Sequence, residues 1–185
     1  MKPLLVFAMK EEMKECFEGY EVLHTHIGKV NASYALMKRL AQGERPDIVI
    51  NLGTTGSRKF ASGEVVNPTR FMQRDMDVRP LGFDLGQVPF SDDPVILHYG
   101  EEISGLKTGL CGTGDNFDVS EEAAHYDVVD MEAYALALIC SRENIPFLCL
   151  KYISDGADGA AHEDFNESLK NAALKLSDTL KGAGY

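Results

Sequence analysis

The sequence predicts a single α/β domain, residues 1–185, built on a largely parallel sheet. Two observations lead to this prediction. Apolar runs of strand length alternate with stretches of helical periodicity, a rhythm typical of βαβ units. No repeat, low-complexity tract or linker interrupts the 185 residues, which suffice for one hydrophobic core.

The first half of the chain predicts three strands and two helices. Leu4–Ala8 is apolar and predicts a buried strand, after which the charged residues from Lys10 predict a helix. Val22–Ile27 predicts a second strand, and Gly28 then opens a second helix. Asp47–Leu52 predicts the third strand. The second helix carries an apolar face at helical spacing, made of Val30, Tyr34, Met37 and Ala41.

The second half predicts further strands and two more helices. Met131–Cys140 is apolar nearly all round and predicts a buried helix, while Ile145–Leu150 predicts a buried parallel strand. Arg74–Asp93 is rich in glycine and proline and predicts an ordered loop. Further strands are predicted at Gly63–Phe71, Pro94–Tyr99 and Leu106–Cys111. One apolar stripe predicts a C-terminal amphipathic helix: Phe165, Leu169, Ala173, Leu176 and Leu180.

Composition excludes several classes of protein. The formal net charge of −11 argues against a protein that grips nucleic-acid phosphates. No apolar run approaches membrane-spanning length and the chain enters its first strand directly, so we expect neither a membrane protein nor a signal peptide. The cysteines lack CxxC spacing and the histidines lack metal-ligand spacing. We therefore expect a cytoplasmic protein with reduced thiols and without a metal or other cofactor.

Acidic residues at the ends of predicted elements suggest an active site. Ser154 and Asp155 follow the strand Ile145–Leu150, where open α/β sheets place their ligands. Glu132 opens the apolar helix, and a carboxylate in such surroundings needs a hydrogen-bond partner, such as a ribose diol. Glu12 follows the first strand. Together these positions indicate chemistry on a substrate that becomes positively charged.

Each of these features also has a simpler explanation. The helix dipole favours acidic residues in a first helical turn, which accounts for Glu12 taken alone. The sequence Ser-Asp-Gly at 154–156 is common turn chemistry. The run Gly-Thr-Thr-Gly-Ser at 53–57 can cradle an anion or bind a sugar, but a plain βα turn explains it equally well. It matches neither the P-loop nor the GxGxxG pattern.

Six short motifs follow one another along the chain: Ala8–Glu12, Ile27–Val30, Asn51–Gly56, Gly114–Phe117, Met131–Ala133 and Ile153–Asp155. Together they resemble the nucleoside phosphorylase superfamily and, more narrowly, its 5′-methylthioadenosine/S-adenosylhomocysteine nucleosidases. Gly82–Pro89 also resembles the dimer-forming loop of that family. The resemblance implies a shortened phosphorylase/hydrolase-like fold, with three layers around a central mixed, mostly parallel sheet.

The resemblance also implies an activity, the hydrolysis of the N-glycosidic bond of 5′-modified adenine nucleosides. Asp155 would protonate purine N7, Glu12 would activate water, and Glu132 would hold the ribose hydroxyls. Glu12 and Asp155 are thus the expected catalytic residues. The expected substrate-binding residues are Ile27, Thr54, Thr55, Gly56, Phe117, Asp118, Met131, Glu132, Ser154 and Phe165. Val78, Leu81 and Pro89 would complete a neighbour's 5′ pocket in a homodimer.

Three alternatives stay open. A purine nucleoside phosphorylase would need cations around phosphate, which Arg58 and Lys59 offer, although Glu12 would repel that anion. A futalosine-type hydrolase would use the same machinery on a larger 5′ group. The segments 89–114 and 117–131 are shorter than the family norm, which leaves the 5′ group open. A nucleoside-binding protein without turnover would need neither Glu12 nor Asp155.

Overall fold

The coordinates are those of a computed structural model, which describes residues 1–13, 16–117, 120–156 and 165–185, and all of their side chains except those of 121 and 165–167. Eight strands lie in these ranges: β1 (Pro3–Phe7), β2 (Glu21–His24), β3 (Ile48–Gly56), β4 (Val65–Gln73), β5 (Leu97–His98), β6 (Thr108–Thr113), β7 (Val128–Asp130) and β8 (Phe147–Asp155). The same ranges contain three α-helices: α1 (Lys29–Gln42), α2 (Ala133–Glu143) and α3 (Phe165–Gly182).

The described strands form one mixed sheet that is mostly parallel. β1 is parallel to β2 and β3, β3 to β8, and β6 to β4 and β7, whereas β3–β7, β4–β5 and β4–β8 are antiparallel. Because β8 pairs with both β3 and β4, the five strands β3, β8, β4, β6 and β7 close into a ring. The predicted mixed, mostly parallel sheet is confirmed, and its closure is a feature that the sequence pattern did not indicate.

Helices cover both faces of the sheet. α1 and α2 pack against the face on which the side chains of Leu4 and Val6 lie. α3 packs against the opposite face, on which Leu5 and Phe7 lie. Successive side chains of a strand point to opposite faces, so β1 has to be apolar at both sets of positions. The three-layer arrangement therefore follows from the uninterrupted apolar sequence of the central strands.

Two predictions near the N-terminus are wrong. In the described residues, the helix predicted from Lys10 is a 3-10 turn, Lys10–Glu12, whose start is capped by the Glu12 side chain, which accepts a 3.1 Å hydrogen bond from the Met9 N–H. The strand predicted to reach Ile27 ends at His24. The chain turns there, and His26 and Gly28 adopt positive φ angles of 66° and 97°.

The strand boundaries around the sheet ends also differ from the prediction. The 53–56 segment, predicted as a loop, continues β3, because Thr54 and Thr55 pair with Tyr152 and Ile153 of β8. The strand predicted at Pro94–Tyr99 is reduced to the two residues of β5. The short strand β7 was not predicted, since three residues are too few for a recognisable pattern.

The predicted apolar face of α1 exists but points away from the core. The buried residues of this helix are Ala32 and Leu36, on the opposite side. Val30 is 77% exposed and Tyr34 is 68% exposed. We call this exposed face the α1 stripe; its members are Val30, Tyr34, Met37 and Ala41.

The other two helices pack as predicted. Most residues of α2 are buried, in agreement with its apolar sequence. The α3 stripe is buried at Leu169, Ala173, Leu176 and Leu180, and the side chain of Phe165 lies outside the described part. Among the described helices, none combines the length and the apolar character that crossing a membrane requires.

Candidate active site

The predicted site residues meet where β3, β7 and β8 end. Gly56, the last residue of β3, pairs with Asp155 on one side and with Val129 on the other. Met131 and Glu132 directly follow β7, so the sheet register brings them next to the end of β8. The cavity at this point is lined by Gly56, Arg74, Asn116, Phe117, Val129, Asp130, Met131 and Asp155.

Glu12 is buried and held by the end of β3. Its Oε1 accepts hydrogen bonds from the Thr54 N–H at 3.0 Å and the Thr54 hydroxyl at 3.1 Å. A Cβ atom on Gly53 would come within 3.1 Å of the same oxygen, so glycine allows this close approach. The carboxylate is thus fixed beside the strand end. Thr54 contributes to the site by holding Glu12 in place.

Glu132 is a second buried carboxyl, located directly before the first residue of α2. Its Oε1 accepts a 2.9 Å hydrogen bond from the Gly28 N–H. Burial and then the charge of Asp130 raise the pKa of Glu132 to about 7, against the opposing effects of Lys151 and the Gly28 N–H. Glu132 therefore changes its charge near neutral pH.

A buried ion pair lies beneath Glu132. The Lys151 Nζ is 2.9 Å from the Asp130 Oδ2, and both side chains are almost fully buried. Asp130 also accepts hydrogen bonds from the Thr113 hydroxyl at 2.6 Å and the Ala133 N–H at 3.0 Å. Burial acts to raise the pKa of Asp130 and to lower that of Lys151, but their mutual attraction reverses both shifts. Both members of the pair are therefore charged.

Asp155 lies at the end of β8, is half-buried and lines the cavity. The Ser154 hydroxyl lies 2.8 Å from the Asp155 Oδ2 and 3.3 Å from the Thr55 carbonyl oxygen. The Asp155 carbonyl oxygen accepts a 3.0 Å hydrogen bond from the Ser57 N–H. The end of β3 thus fixes the main chain of Asp155, and Ser154 contacts its carboxyl group. The Thr55 hydroxyl is itself engaged, since it donates to the Val129 carbonyl oxygen at 2.6 Å.

The site has a second, more open part beside the start of α1. This part is lined by Ile27, Gly28, Val30, Asn31, Asp115 and Met131. Met131 borders both parts, so the two adjoin at this residue. Ile27 and Val30 are exposed there, and Val30 also begins the α1 stripe.

The remaining predicted residues occupy different positions. Phe117 lines the cavity and is 62% exposed, so it is an aromatic wall and not a core residue. Asp118 and the side chain of Phe165 lie outside the described residues. Val78 and Pro89 are half-buried and Leu81 is exposed, on the segment that links β4 to β5.

Sequence reasoning missed Arg74, Asp130 and Lys151. Lys151 carried a signal, because a lysine inside an apolar strand needs a buried anionic partner. The Arg74 guanidinium donates to the Asn116 side-chain and main-chain oxygens at 2.8 and 2.5 Å, a contact that no local pattern reveals.

Comparison with known proteins gives relatives over most of the chain. Residues 18–183 match the sequence profile described as the Phosphorylase superfamily. A 5′-methylthioadenosine/S-adenosylhomocysteine nucleosidase of Haemophilus influenzae (strain PittGG) is 36% identical over 181 residues, covering 87% of this chain and 79% of that protein. The enzyme of the same name from Marinomonas sp. (strain MWYL1) is 33% identical over 193 residues, covering 90% of this chain and 83% of that protein.

Solved structures agree with these relatives. The 5′-methylthioadenosine/S-adenosylhomocysteine nucleosidase of Neisseria meningitidis, in complex with methylthio-immucillin-A, is 27% identical with a TM-score of 0.80, covering 99% of this chain and 98% of that one. The futalosine hydrolase of Helicobacter pylori strain 26695 is 21% identical with a TM-score of 0.85, covering 99% and 97%. The latter shares the fold.

Proposed function

The chain belongs to the phosphorylase superfamily, and we propose that it hydrolyses the N-glycosidic bond of 5′-modified adenine nucleosides. Its substrates would be 5′-methylthioadenosine and S-adenosylhomocysteine, the nucleosides in the names of its relatives. One observation carries this proposal. Glu12, Glu132 and Asp155, from three separate segments, lie at one end of the sheet, and Asp155 lines a cavity with an aromatic wall.

The geometry suits a reaction in which the sugar becomes positively charged. Asp155, at the cavity wall beside Phe117, gives a proton to purine N7, so that the base leaves as a neutral molecule. Glu132 accepts hydrogen bonds from the ribose hydroxyls and places negative charge near the developing cation. Glu12 orients the attacking water and takes its proton. Ser154 positions Asp155, and Gly56 and Met131 border the substrate.

Water is favoured over phosphate as the nucleophile. Thr54 offers an N–H and a hydroxyl at the strand end, the groups that would otherwise bind an anion. Both donate to the Glu12 carboxylate, which repels phosphate. Lys59 is engaged elsewhere, since its Nζ lies 2.5 Å from the Asp127 Oδ1. The proposed reaction is therefore hydrolysis.

The proposal includes a homodimer in the cytoplasm. The open part of the site adjoins the exposed α1 stripe, and a second copy packed there would cover both. Leu81 is 72% exposed on the 78–89 segment, which would then reach the partner's 5′ pocket. A cytoplasmic location is supported by the cysteines, all four of which are free thiols.

The first experiment measures release of free adenine from 5′-methylthioadenosine, with and without phosphate. Equal release under both conditions is expected, because water attacks. Release that requires phosphate would move the assignment to a phosphorylase. Absence of release would contradict the proposed substrate, and a futalosine-type nucleoside would then be assayed in the same way.

The variant Asp155→Asn tests the role of Asp155 as the proton donor. The amide keeps the shape of the side chain but has no proton to give, so we expect kcat to fall by about 10²–10⁴-fold. Thermal unfolding would show that the variant is folded. Full activity in a folded variant would contradict the role of Asp155.

A further inference from the structure

A network of hydrogen bonds and ion pairs lies beside the open part of the site, outside the groups that perform the chemistry. It consists of Lys29, Asp75 and Asp115, which come from three different segments. The Lys29 N–H donates to the Asp115 Oδ1 at 2.8 Å, and the Asp115 N–H donates to the Asp75 Oδ2 at 2.8 Å. The Lys29 Nζ hydrogen-bonds to the Asp75 Oδ1 and lies 3.6 Å from the Asp115 Oδ2.

The Lys29–Asp75 pair is more sheltered than an ordinary surface ion pair, whereas Asp115 is exposed. The exposed fraction of the side chain is 15% for Lys29, 27% for Asp75 and 44% for Asp115. Burial alone would raise the pKa of Asp75, but hydrogen bonds from Lys29 and from the Asp115 N–H lower it. Asp75 is therefore charged, and without the ammonium group the two carboxylates would repel each other.

One end of the network adjoins Glu132, the carboxyl group proposed to bind the ribose. Gly28, the residue before Lys29, donates its N–H to Glu132. Gly28 has a φ of 97°, and a Cβ atom there would come within 3.1 Å of the Asp115 Oδ1. The turn that orients Glu132 thus rests directly on Asp115.

The other end of the network adjoins the aromatic wall. Asp115 and Asn116 precede Phe117 in the chain, and both are held by consecutive residues that follow β4. Asp75 holds the Asp115 N–H, and Arg74 holds Asn116. Lys29 therefore lies between the residue that orients Glu132 and the segment that carries Phe117.

We propose that Lys29 is a positioning residue that ties the Gly28 turn to the 115–117 segment, so that the contacts to ribose and base form together. This role rests on the proposed function, because it assigns the ribose to Glu132 and the base to Phe117. Lys29 touches neither. It acts by holding two parts of the site at a fixed separation, and its removal weakens binding more than it slows the chemical step.

The test compares Lys29→Met with the wild-type protein in the 5′-methylthioadenosine assay. We expect kcat/KM to fall about tenfold, mainly through a higher KM. Lys29→Arg keeps the charge and should retain most of the activity. Lys107→Met is the matched control, because it removes a lysine–glutamate pair, with Glu64, before the opposite end of β6. It should leave the kinetics unchanged.

A double-mutant cycle separates positioning from a general effect on folding. In a Glu132→Ala background, we expect Lys29→Met to raise KM by a smaller factor than in the wild type, because the ribose contact that it positions is already lost and only the base contact remains. In an Asp155→Asn background, the full effect on KM should persist. If Lys29→Met is too unstable to assay, Asp75→Asn replaces it, since it removes the charge that pairs with the Lys29 Nζ while the amide oxygen still accepts the Asp115 N–H, and the same rise in KM is expected.

The outcomes distinguish this inference from the proposed function. Wild-type kinetics in Lys29→Met, or an equal loss with and without Glu132, would overturn the positioning role while hydrolysis stands. Failure of the wild-type protein to release adenine would overturn the function and the role together. A loss of activity matched by equal loss in Lys107→Met would identify a nonspecific effect and would also overturn the role.

Discussion

At the scale of single residues, the charge of Glu132 links the site to the stability of the fold. Its pKa is about 7 in the folded protein, against an ordinary value of 4.5. Between these values the folded state keeps a proton that the unfolded state has lost. The contribution of Glu132 to the free energy of unfolding is therefore greatest below pH 4.5, and it is lost as the pH rises through 7. The difference amounts to about 3 kcal/mol at alkaline pH.

Glu132→Gln should therefore stabilise the protein in a pH-dependent way. The amide stays neutral and its oxygen still accepts the Gly28 N–H. We expect the Tm of the variant to exceed that of the wild type by several degrees at pH 8 and to match it at pH 4.5. Thermal denaturation at both pH values measures the difference. Glu143→Gln, at the exposed end of the same helix, is the control and should show no such change.

A Tm difference that is the same at both pH values would contradict this account. It would mean that the amide acts through packing and not through the charge. The activity of Glu132→Gln should fall most above pH 7, where the wild-type carboxylate is charged, because the amide places no negative charge beside the ribose. Greater stability combined with lower activity is the signature of a group retained for function.

The individual residues of the site differ in how far the sequence reveals them. The sequence predicted Glu12, Glu132 and Asp155, because acidic residues at the ends of predicted strands and helices suggest an active site. The Asp130–Lys151 pair was not predicted, because it depends on the register with which β7 and β8 pair with β3. The contact between Glu132 and Gly28 likewise joins distant segments. Such contacts are set by tertiary packing, which no local pattern encodes.

At the scale of elements, α3 and α1 show what an apolar stripe can and cannot indicate. The stripe of α3 lies in the core, as its periodicity predicts. The α1 stripe has the same periodicity, yet it is exposed and a narrower face, Ala32 and Leu36, is buried. Periodicity shows that a helix has an apolar face; it does not show whether the core of the same chain or another surface receives it.

Two leucines of α3 provide a direct test of its packing. Leu176 is fully buried, while Leu174 on the same helix is 48% exposed. Leu176→Ala should lower the free energy of unfolding by about 2–5 kcal/mol, because it removes buried methyl groups and leaves a cavity. Leu174→Ala should change it by less than about 1 kcal/mol. Urea denaturation of both variants measures the difference, and equal losses would contradict the orientation of the helix.

At the scale of the whole molecule, the proposed homodimer makes activity depend on protein concentration. Sedimentation velocity should show a dimer for the wild type. Tyr34→Glu in the α1 stripe and Leu81→Glu in the 78–89 segment should shift it toward the monomer, because each buries a charge at the proposed interface. We also expect the KM for 5′-methylthioadenosine to rise when these variants are diluted.

Leu174→Glu is the control for this experiment, since it adds the same charge at an exposed leucine of α3. It should sediment as the wild type does. A wild-type monomer with full activity at micromolar concentration would contradict the dimer and leave the hydrolysis proposal intact. Loss of association in all three variants would indicate a nonspecific effect of the added charge.

The closed ring of strands has a consequence for the order in which the protein matures during synthesis. β8 completes the ring, and it is the last strand of the described chain to leave the ribosome. Until then, β3 and β4 each have an edge without its final partner, and such edges invite pairing with other chains. The strand that closes the ring also ends in Asp155. A nascent chain thus gains Asp155, the proposed acid, at the same step in which the open edges of β3 and β4 are paired.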